Sequence, residues 1–165
     1  MPAGTFQATW TTDAKAMLAA ATAGTGPVPS TFFAYFKVGL GGRLPDGSVR
    51  VPDPDLTDLD ILENPLNYPQ YPNPPYNIPS YGSAILTPLT GSTGSITIPT
   101  PGTVRLTCVL DGATYNSSQT STPTPPLICE VGIFDSNDLM LGYGTFGGVT
   151  KTAGLTLTLT VDLVF

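Results

Sequence analysis

The sequence LTLTLTVDLVF, residues 155–165, alternates between large apolar side chains and mostly polar ones. Leucine, valine or phenylalanine occupies every odd position from Leu155 to Phe165, and threonine or aspartate fills all the even positions except Val164. Successive side chains of a β-strand point to opposite faces, so a period of two predicts a strand with one buried face. The stretch therefore favours a protein built on a sheet.

Other parts of the chain carry the same signal. Residues 103–110 and 127–134 alternate in the same way. Short apolar runs at 31–38, 95–98 and 139–146 are bounded by glycine, proline, aspartate or asparagine, which is typical of strands separated by turns. Several short strands in succession favour an antiparallel β-sandwich or a barrel-like fold.

Residues 12–23 form the stretch with a convincing helical composition. Thr11 or Thr12 can cap its start, Asp13 suits the positive end of the helix dipole, and Gly24 can end it. The sequence therefore predicts a mainly β protein with one short N-terminal helix. At 165 residues, the chain is expected to form a single β-rich domain.

Residues 43–93 carry more than half of the 18 prolines and show no strong hydrophobic period. Proline lacks a backbone N–H and favours extended geometry, so a central strand is not expected there. A flexible linker and an ordered arm are both compatible with this composition. Tyrosines favour the arm, because each offers a large contact area at low entropic cost. We predict a long Pro/Tyr-rich arm whose interface contacts come from Tyr68, Tyr71, Tyr76 and Tyr81.

The two cysteines lie in the two alternating stretches. If these stretches pair as a hairpin, Cys108 lies opposite Cys129 on the apolar face, and Arg105 lies diagonal to Glu130 on the other face. A disulfide would then be geometrically possible. Cytoplasmic assembly favours free thiols instead, so we predict a reduced pair in the core.

The composition argues against most catalytic chemistry. The chain has no histidine, which removes the usual general base, the Ser-His-Asp triad and nearly all zinc sites. Five acidic residues cluster in 52–63, but their spacing does not match a calcium loop, and a solvated loop with capped turns is favoured. We therefore expect no enzymatic activity, no metal and no cofactor.

Charge and hydropathy also bear on the partners. Charged residues make up 11% of the chain and the net charge is −6, without the basic stripe that nucleic-acid binding needs. No apolar run is long enough for a transmembrane helix, and no signal peptide is visible. We expect no nucleic acid, no membrane, and synthesis in the cytoplasm. A charge-poor surface favours a protein packed permanently against neighbours.

One stretch resembles a known family. The sequence EVGIFDSNDLMLGYGTF, residues 130–146, resembles the signature of the N-terminal domain of phage tail-collar and tail-fibre proteins. Residues 12–24 and 33–42 are similar to that family's opening helix and its strand with following glycines, whereas 64–81 is an insertion relative to it. The matching motif positions are Glu130, Gly132, Phe134, Asp135 and Lys151.

The resemblance implies a β-rich domain that anchors a fibre to a tail or baseplate, commonly as a trimer. Our first hypothesis is therefore a non-enzymatic bacteriophage virion protein, a tail, baseplate or fibre-attachment adaptor assembled in the host cytoplasm. It would form a homo-oligomer docked on other virion proteins. A capsid decoration protein bound to the major capsid protein is the alternative. A secreted carbohydrate-binding module is a third possibility from another class.

Overall fold

The computed structural model describes residues 4–26, 29–39, 42, 48–57, 59, 87–110, 128–149 and 155–165. Within these residues the protein is mainly β, with one short helix. The elements in chain order are β1 (Gly4–Trp10), α1 (Thr12–Thr22), β2 (Tyr35–Gly39), β3 (Thr87–Pro88), β4 (Gly94–Thr100), β5 (Thr103–Leu110), β6 (Ile128–Phe134), β7 (Met140–Val149) and β8 (Leu157–Val164).

The described strands form one sheet in the order β3-β2-β6-β7-β1-β8-β5-β4. Neighbouring strands are antiparallel except β1 and β8, which run parallel. A parallel pair was not expected from the sequence. It arises because β1, which the sequence did not predict, inserts between β7 and β8.

The two ends of the sheet, β3 and β4, meet through the short connection between them, so the sheet is nearly closed and barrel-like. The Thr93 hydroxyl donates to the Pro88 carbonyl at 2.6 Å, and the Val109 N–H donates to the Thr93 carbonyl at 2.9 Å. A side chain at Gly94 would place its Cβ 2.9 Å from both the Leu89 Cα and the Thr107 carbonyl oxygen. Glycine is therefore needed where the two ends approach each other.

The helix begins where the sequence predicts. Thr11 caps α1, and its hydroxyl accepts from the Ala14 N–H at 3.1 Å. The same hydroxyl donates to the Met140 carbonyl at 2.5 Å, which ties the start of the helix to β7. Gly24 follows the helix with a φ of 70°. Nowhere in the described part of the chain is a helix long and apolar enough to cross a membrane.

The core lies inside the curved sheet. The alternation in β8 is confirmed, because its odd-numbered residues are buried and the residues between them are half-buried. Phe165, the last apolar residue of the pattern, is 66% exposed beyond the end of the strand. The largest side chains with almost no exposure in this core are Phe36, Leu89, Leu106, Leu110, Ile128, Ile133, Leu141 and Leu163.

The predicted strands at 95–98, 103–110, 127–134 and 139–146 are present as β4, β5, β6 and β7. The run at 31–38 is a strand only from Tyr35 onwards. The preceding residues bend instead, and the Thr31 carbonyl accepts the Ser136 N–H at 3.0 Å.

The predicted hairpin between the two cysteine-bearing strands is wrong. Cys108 in β5 lies opposite Leu159 of β8 and Gly94 of β4, whereas Cys129 lies in β6, between β2 and β7. Alternation determines which face of a strand is buried, but it does not determine which strand lies beside it. Both cysteines are nevertheless buried, and neither forms a disulfide bond.

Several predicted features fall outside the described residues. These are most of the proline-rich stretch, the four tyrosines Tyr68, Tyr71, Tyr76 and Tyr81, and Lys151.

Candidate functional site

A buried carboxyl group lies in the middle of β6. Glu130 has 0% exposure, and the Tyr143 hydroxyl of β7 donates to its Oε2 at 2.5 Å. The two residues lie on the face of the sheet that points away from the main core. We call this face of β6 and β7 the covered face; it comprises Glu130, Gly132, Phe134, Met140 and Tyr143.

The covered face lies beneath residues 50–57 and 59. Leu56 and Leu59 pack against its aromatic and methionine side chains. The Thr145 hydroxyl of β7 donates to the Arg50 carbonyl, which holds one end of the segment. At the other side, the Thr12 N–H donates to the Pro54 carbonyl at 2.7 Å. The chain thus supplies its own cover for this part of the sheet.

Gly132 makes room for that cover. A Cβ at this position would lie 2.9 Å from Met140 Sδ, 2.9 Å from Phe134 Cε2 and 3.1 Å from Leu59 Cδ2. Any side chain at residue 132 would push the covering segment or its neighbours outwards. Like Gly94, Gly132 is therefore needed where two segments approach each other closely.

Asp135 builds the turn between β6 and β7. Its Oδ1 accepts the N–H groups of Asn137 at 2.7 Å and Leu139 at 2.9 Å, and the residue is only 1% exposed. Asp138 occupies the left-handed region with a φ of 64°, as aspartate can in a tight turn. These residues form the turn expected between the predicted strands at 127–134 and 139–146. Asp135, which begins the turn, belongs to the resemblance motif, which comprises Glu130, Gly132, Phe134, Asp135 and Lys151.

Four of the five motif residues therefore lie together in one region, and each has a structural task. Glu130 bonds to Tyr143, Gly132 admits the cover, Phe134 packs beneath it, and Asp135 forms the turn. Lys37 of β2 adds a cation–π contact, with its Nζ 4.7 Å from the centre of the Phe134 ring.

The acidic segment differs in part from its prediction. Asp53 Oδ1 accepts the Asp55 N–H at 2.9 Å, which is the expected capped turn. Asp55 Oδ1 also accepts the Thr12 hydroxyl at 2.6 Å. However, Leu56 and Leu59 are packed against the sheet, so the segment is a cover and not only a solvated loop. The apolar residues that interrupt its acidic ones were the signal in the sequence.

Arg105 and Asp162 form an ion pair on the outer face of the other half of the sheet. Arg105 Nε and Nη2 donate to the two carboxylate oxygens of Asp162 at 2.8 and 2.7 Å. The Arg105 guanidinium, through these hydrogen bonds, lowers the pKa of the Asp162 carboxyl group. The predicted diagonal contact of Arg105 with Glu130 is wrong, because β5 pairs with β8 and not with β6.

The Cys108 thiol is poorly placed to act as a nucleophile. Burial raises the pKa of the Cys108 thiol well above its usual range, which disfavours the thiolate that a nucleophile requires. Among the described residues, no group of three or more cysteine, aspartate or glutamate side chains is placed to hold a metal ion. The polar groups described above connect segments of the fold.

A cleft of about 450 Å³ opens between α1 and the adjacent ends of β1 and β8. Trp10 lines the cleft, and its Nε1 donates to the Val164 carbonyl at 2.9 Å. Its ring centre lies 4.6 Å from that of Phe165. Lys15 and Leu18 of the helix line the other side. The sequence prediction did not single out Trp10, although it is the only tryptophan in the chain.

The β4 edge differs from the covered face in being open. Ile96 is 44% exposed and Ile98 is 72% exposed, and the strand GSITIPT has no charged residue. Among the described residues, three other exposed large apolar residues lie outside the strands: Val49, Val51 and Phe165. An apolar, uncharged edge strand is a site where another chain can add.

Comparison with protein-family models, with curated proteins and with solved structures finds no match to this chain. Its class is accordingly defined by its own architecture, a nearly closed, barrel-like sheet with one short helix in the described residues.

Proposed function

We propose that this chain is a non-enzymatic structural protein of a bacteriophage particle, an adaptor of the tail, baseplate or fibre attachment. It is assembled in the host cytoplasm as a homo-oligomer and docks on other virion proteins. The observation that carries the proposal is the open β4 edge, where Ile96 and Ile98 are exposed on a strand without charge.

Physical chemistry supports an assembled state over a freely diffusing one. With 11% charged residues, the surface has little of the charge that keeps small domains soluble. Soluble proteins usually blunt their edge strands with lysine or other charges, and β4 has none. Burial against neighbouring subunits would remove both liabilities.

The phage-specific part of the proposal rests on the resemblance to tail-collar and tail-fibre domains. The motif residues Glu130, Gly132, Phe134 and Asp135 all serve the fold. A motif whose residues serve the fold fits a structural domain better than an active site, which supports a role in assembly over one in catalysis.

The two alternative roles, capsid decoration and carbohydrate binding, would each require a different binding surface. A capsid decoration protein would use the same open edge, but against the major capsid protein. A carbohydrate-binding module would need exposed aromatic faces on which sugar rings can stack. Of the two aromatic rings that line the cleft, Trp10 is only 7% exposed and Phe165 is 66% exposed, so a single ring is available for stacking.

Purified particles provide the test. Quantitative mass spectrometry of particles should detect the chain at a low copy number set by the symmetry of the tail. A copy number that matches the capsid lattice would instead support the decoration role. Absence from particles, together with a monomeric chain in the host lysate, would overturn the proposal.

The tyrosine-rich segment gives a second test of the same proposal. Deleting residues 64–81 should weaken incorporation into particles while leaving the circular dichroism spectrum of the β core unchanged. A variant of full length in which Tyr68, Tyr71, Tyr76 and Tyr81 are serine separates the aromatic contacts from chain length. If both variants are incorporated at the normal level, the predicted arm has no role in assembly.

A further inference from the structure

The main-chain groups of β4 show which side of the strand is unpaired among the described residues. Gly94 lies opposite Cys108, so Thr93 lies opposite Val109, and the Val109 N–H donates to the Thr93 carbonyl. Opposite residues of an antiparallel pair alternate between hydrogen-bonded and non-bonded positions. It follows that Ser95 and Thr97 bond to β5, whereas the N–H and C=O of Ile96 point to the free side.

The free edge is short, and features of the fold limit it at both ends. At its start, Gly94 is packed against Leu89 where the sheet nearly closes. At its end, the pairing with β5 shifts between Thr97 and Thr100, and Pro99 has no N–H to donate. The available stretch therefore runs over residues 95–98.

The side chains of this stretch favour a like partner. Ile96 lies on the same side of the sheet as its opposite residue Leu106, and Ile98 follows two positions later. Both isoleucines are substantially exposed, and no charged group of the strand would have to be desolvated on pairing. The pattern Ile-Thr-Ile is symmetric about Thr97.

We propose that two copies of the chain pair through β4, antiparallel and about a two-fold axis at Thr97. Ile96 of each copy then lies opposite Ile98 of the other, which gives two isoleucine pairs and joins the two sheets. Centring the axis on Ile96 instead would leave a single isoleucine pair. The inference deepens the proposed function by naming the surface through which copies associate.

A symmetric cysteine tests both the pairing and its register. Thr97 would lie opposite its own copy at a non-bonded position, where the Cα atoms are about 4.5 Å apart, within the range of a disulfide. Thr97→Cys should therefore form a covalent dimer under mild oxidation. Ser95→Cys is the matched control, since it is equally exposed on the same strand but would face Pro99 of the second copy.

The native cysteines do not interfere with this assay, because Cys108 and Cys129 are buried. A covalent dimer of Thr97→Cys that is absent in Ser95→Cys supports the proposal. Equal cross-linking of both variants, a disulfide formed only when the two variants are mixed, or a protein that stays monomeric overturns it. A stable trimer in which Thr97→Cys does not cross-link also overturns it.

A charge on the edge provides an independent measurement on the full chain. Ile98→Lys should raise the dissociation constant of the dimer by roughly tenfold or more in sedimentation equilibrium, because it removes a buried apolar side chain and brings lysines to the interface. Val51→Lys is the control, since Val51 is 82% exposed outside the strands. An equal effect of the two substitutions would contradict pairing through β4.

These results can be separated from the test of the proposed function. A dimer through Thr97 in a chain that is absent from particles would leave the pairing intact and overturn the virion role. A Thr97→Cys chain that is present in particles but never cross-links would leave the virion role intact and overturn the pairing.

Discussion

The strands β6 and β8 show that the two halves of the sheet differ in how far their outer faces are covered. Every residue of β6 is buried, because the main core lies on one side and residues 50–57 and 59 lie on the other. In β8, only alternate residues are buried, and the outer face carries the half-exposed ion pair of Arg105 and Asp162. The half built on β6 is covered by its own chain, whereas the half that ends at β4 is open.

The two halves differ in what they contribute to the stability of the subunit and to its assembly. The covered half contains the resemblance motif and its buried polar contact between Glu130 and Tyr143. The open half contains the exposed isoleucines that have no cover among the described residues. We infer that the first half stabilises the subunit and that the second is the part that meets other subunits.

The largest effect should come from the core that both halves share. Leu163 of β8 is fully buried, and a Cβ on Gly142 of β7 would lie 2.7 Å from it. Leu163→Ala should lower the free energy of unfolding by about 3 kcal/mol, through lost burial and a cavity. Denaturant titrations followed by Trp10 fluorescence and by circular dichroism should still coincide.

The control for this core substitution is Val164→Ala, a 45% exposed neighbour, which should cost well under about 1 kcal/mol. Two separate transitions in the Leu163→Ala titration would mean that the halves unfold independently and do not share one core.

The buried polar contact should come next. Tyr143→Phe removes the hydroxyl that donates to Glu130 in a region without solvent, so we expect a loss of about 2 kcal/mol in unfolding free energy. Tyr35→Phe is the matched control, because Tyr35 packs against the same cluster and its hydroxyl has no hydrogen bond in the described part of the chain. Similar losses in the two variants would show that the contact with Glu130 is not stabilising.

A methyl group on the covered face should have a smaller effect. Gly132→Ala places a Cβ within 3.1 Å of Met140, Phe134 and Leu59, and the required shifts should cost roughly 1 kcal/mol. Gly147→Ala in the same region of β7 meets nothing within 4 Å and should be close to neutral. If Gly132→Ala is also neutral in thermal unfolding, the cover is looser than the structure implies.

The smallest effect belongs to the ion pair of the open half, and it should depend on pH. The hydrogen bonds from Arg105 lower the pKa of Asp162 in the folded state, whereas the unfolded value is about 3.9. The stabilisation is therefore fully present above that unfolded value and is lost as the pH falls through the lower folded pKa.

Asp162→Asn should accordingly be slightly less stable than the natural chain at neutral pH and equal to it in strong acid. Arg105→Gln should remove the same pH dependence. A difference between Asp162→Asn and the natural chain that persists unchanged in strong acid would exclude the ion pair as its source.

The sequence could predict local features of the fold, but not the contacts between distant segments. A strand within residues 155–165 and a helix capped by Thr11 or Thr12 were predicted, because alternation and capping depend on neighbouring residues. The structure has the strand at 157–164 and the cap at Thr11. The residue opposite Cys108 was not predicted, since the alternation in β5 does not determine which strand lies beside it. The parallel insertion of β1 also depends on contacts between distant segments, which no local pattern encodes.

The residues of the candidate site also differ in whether their contacts are local in the sequence. Asp135 was recognisable as a turn residue, because its bonds reach only four residues along the chain. The contact between Glu130 and Tyr143 depends on the pairing of β6 with β7 and on the bulges in it. The cover formed by residues 50–57 and 59 was hidden by its acidic composition. The open edge of β4 becomes visible only once the sheet order is known.

An electron-microscopic reconstruction of the particle tests the central claim most directly. We expect density for this barrel-like domain in the tail or baseplate, with the strand bearing Ile96 and Ile98 buried against another subunit. Particles in which no such domain is found, or in which it is present with that strand facing solvent, would contradict it.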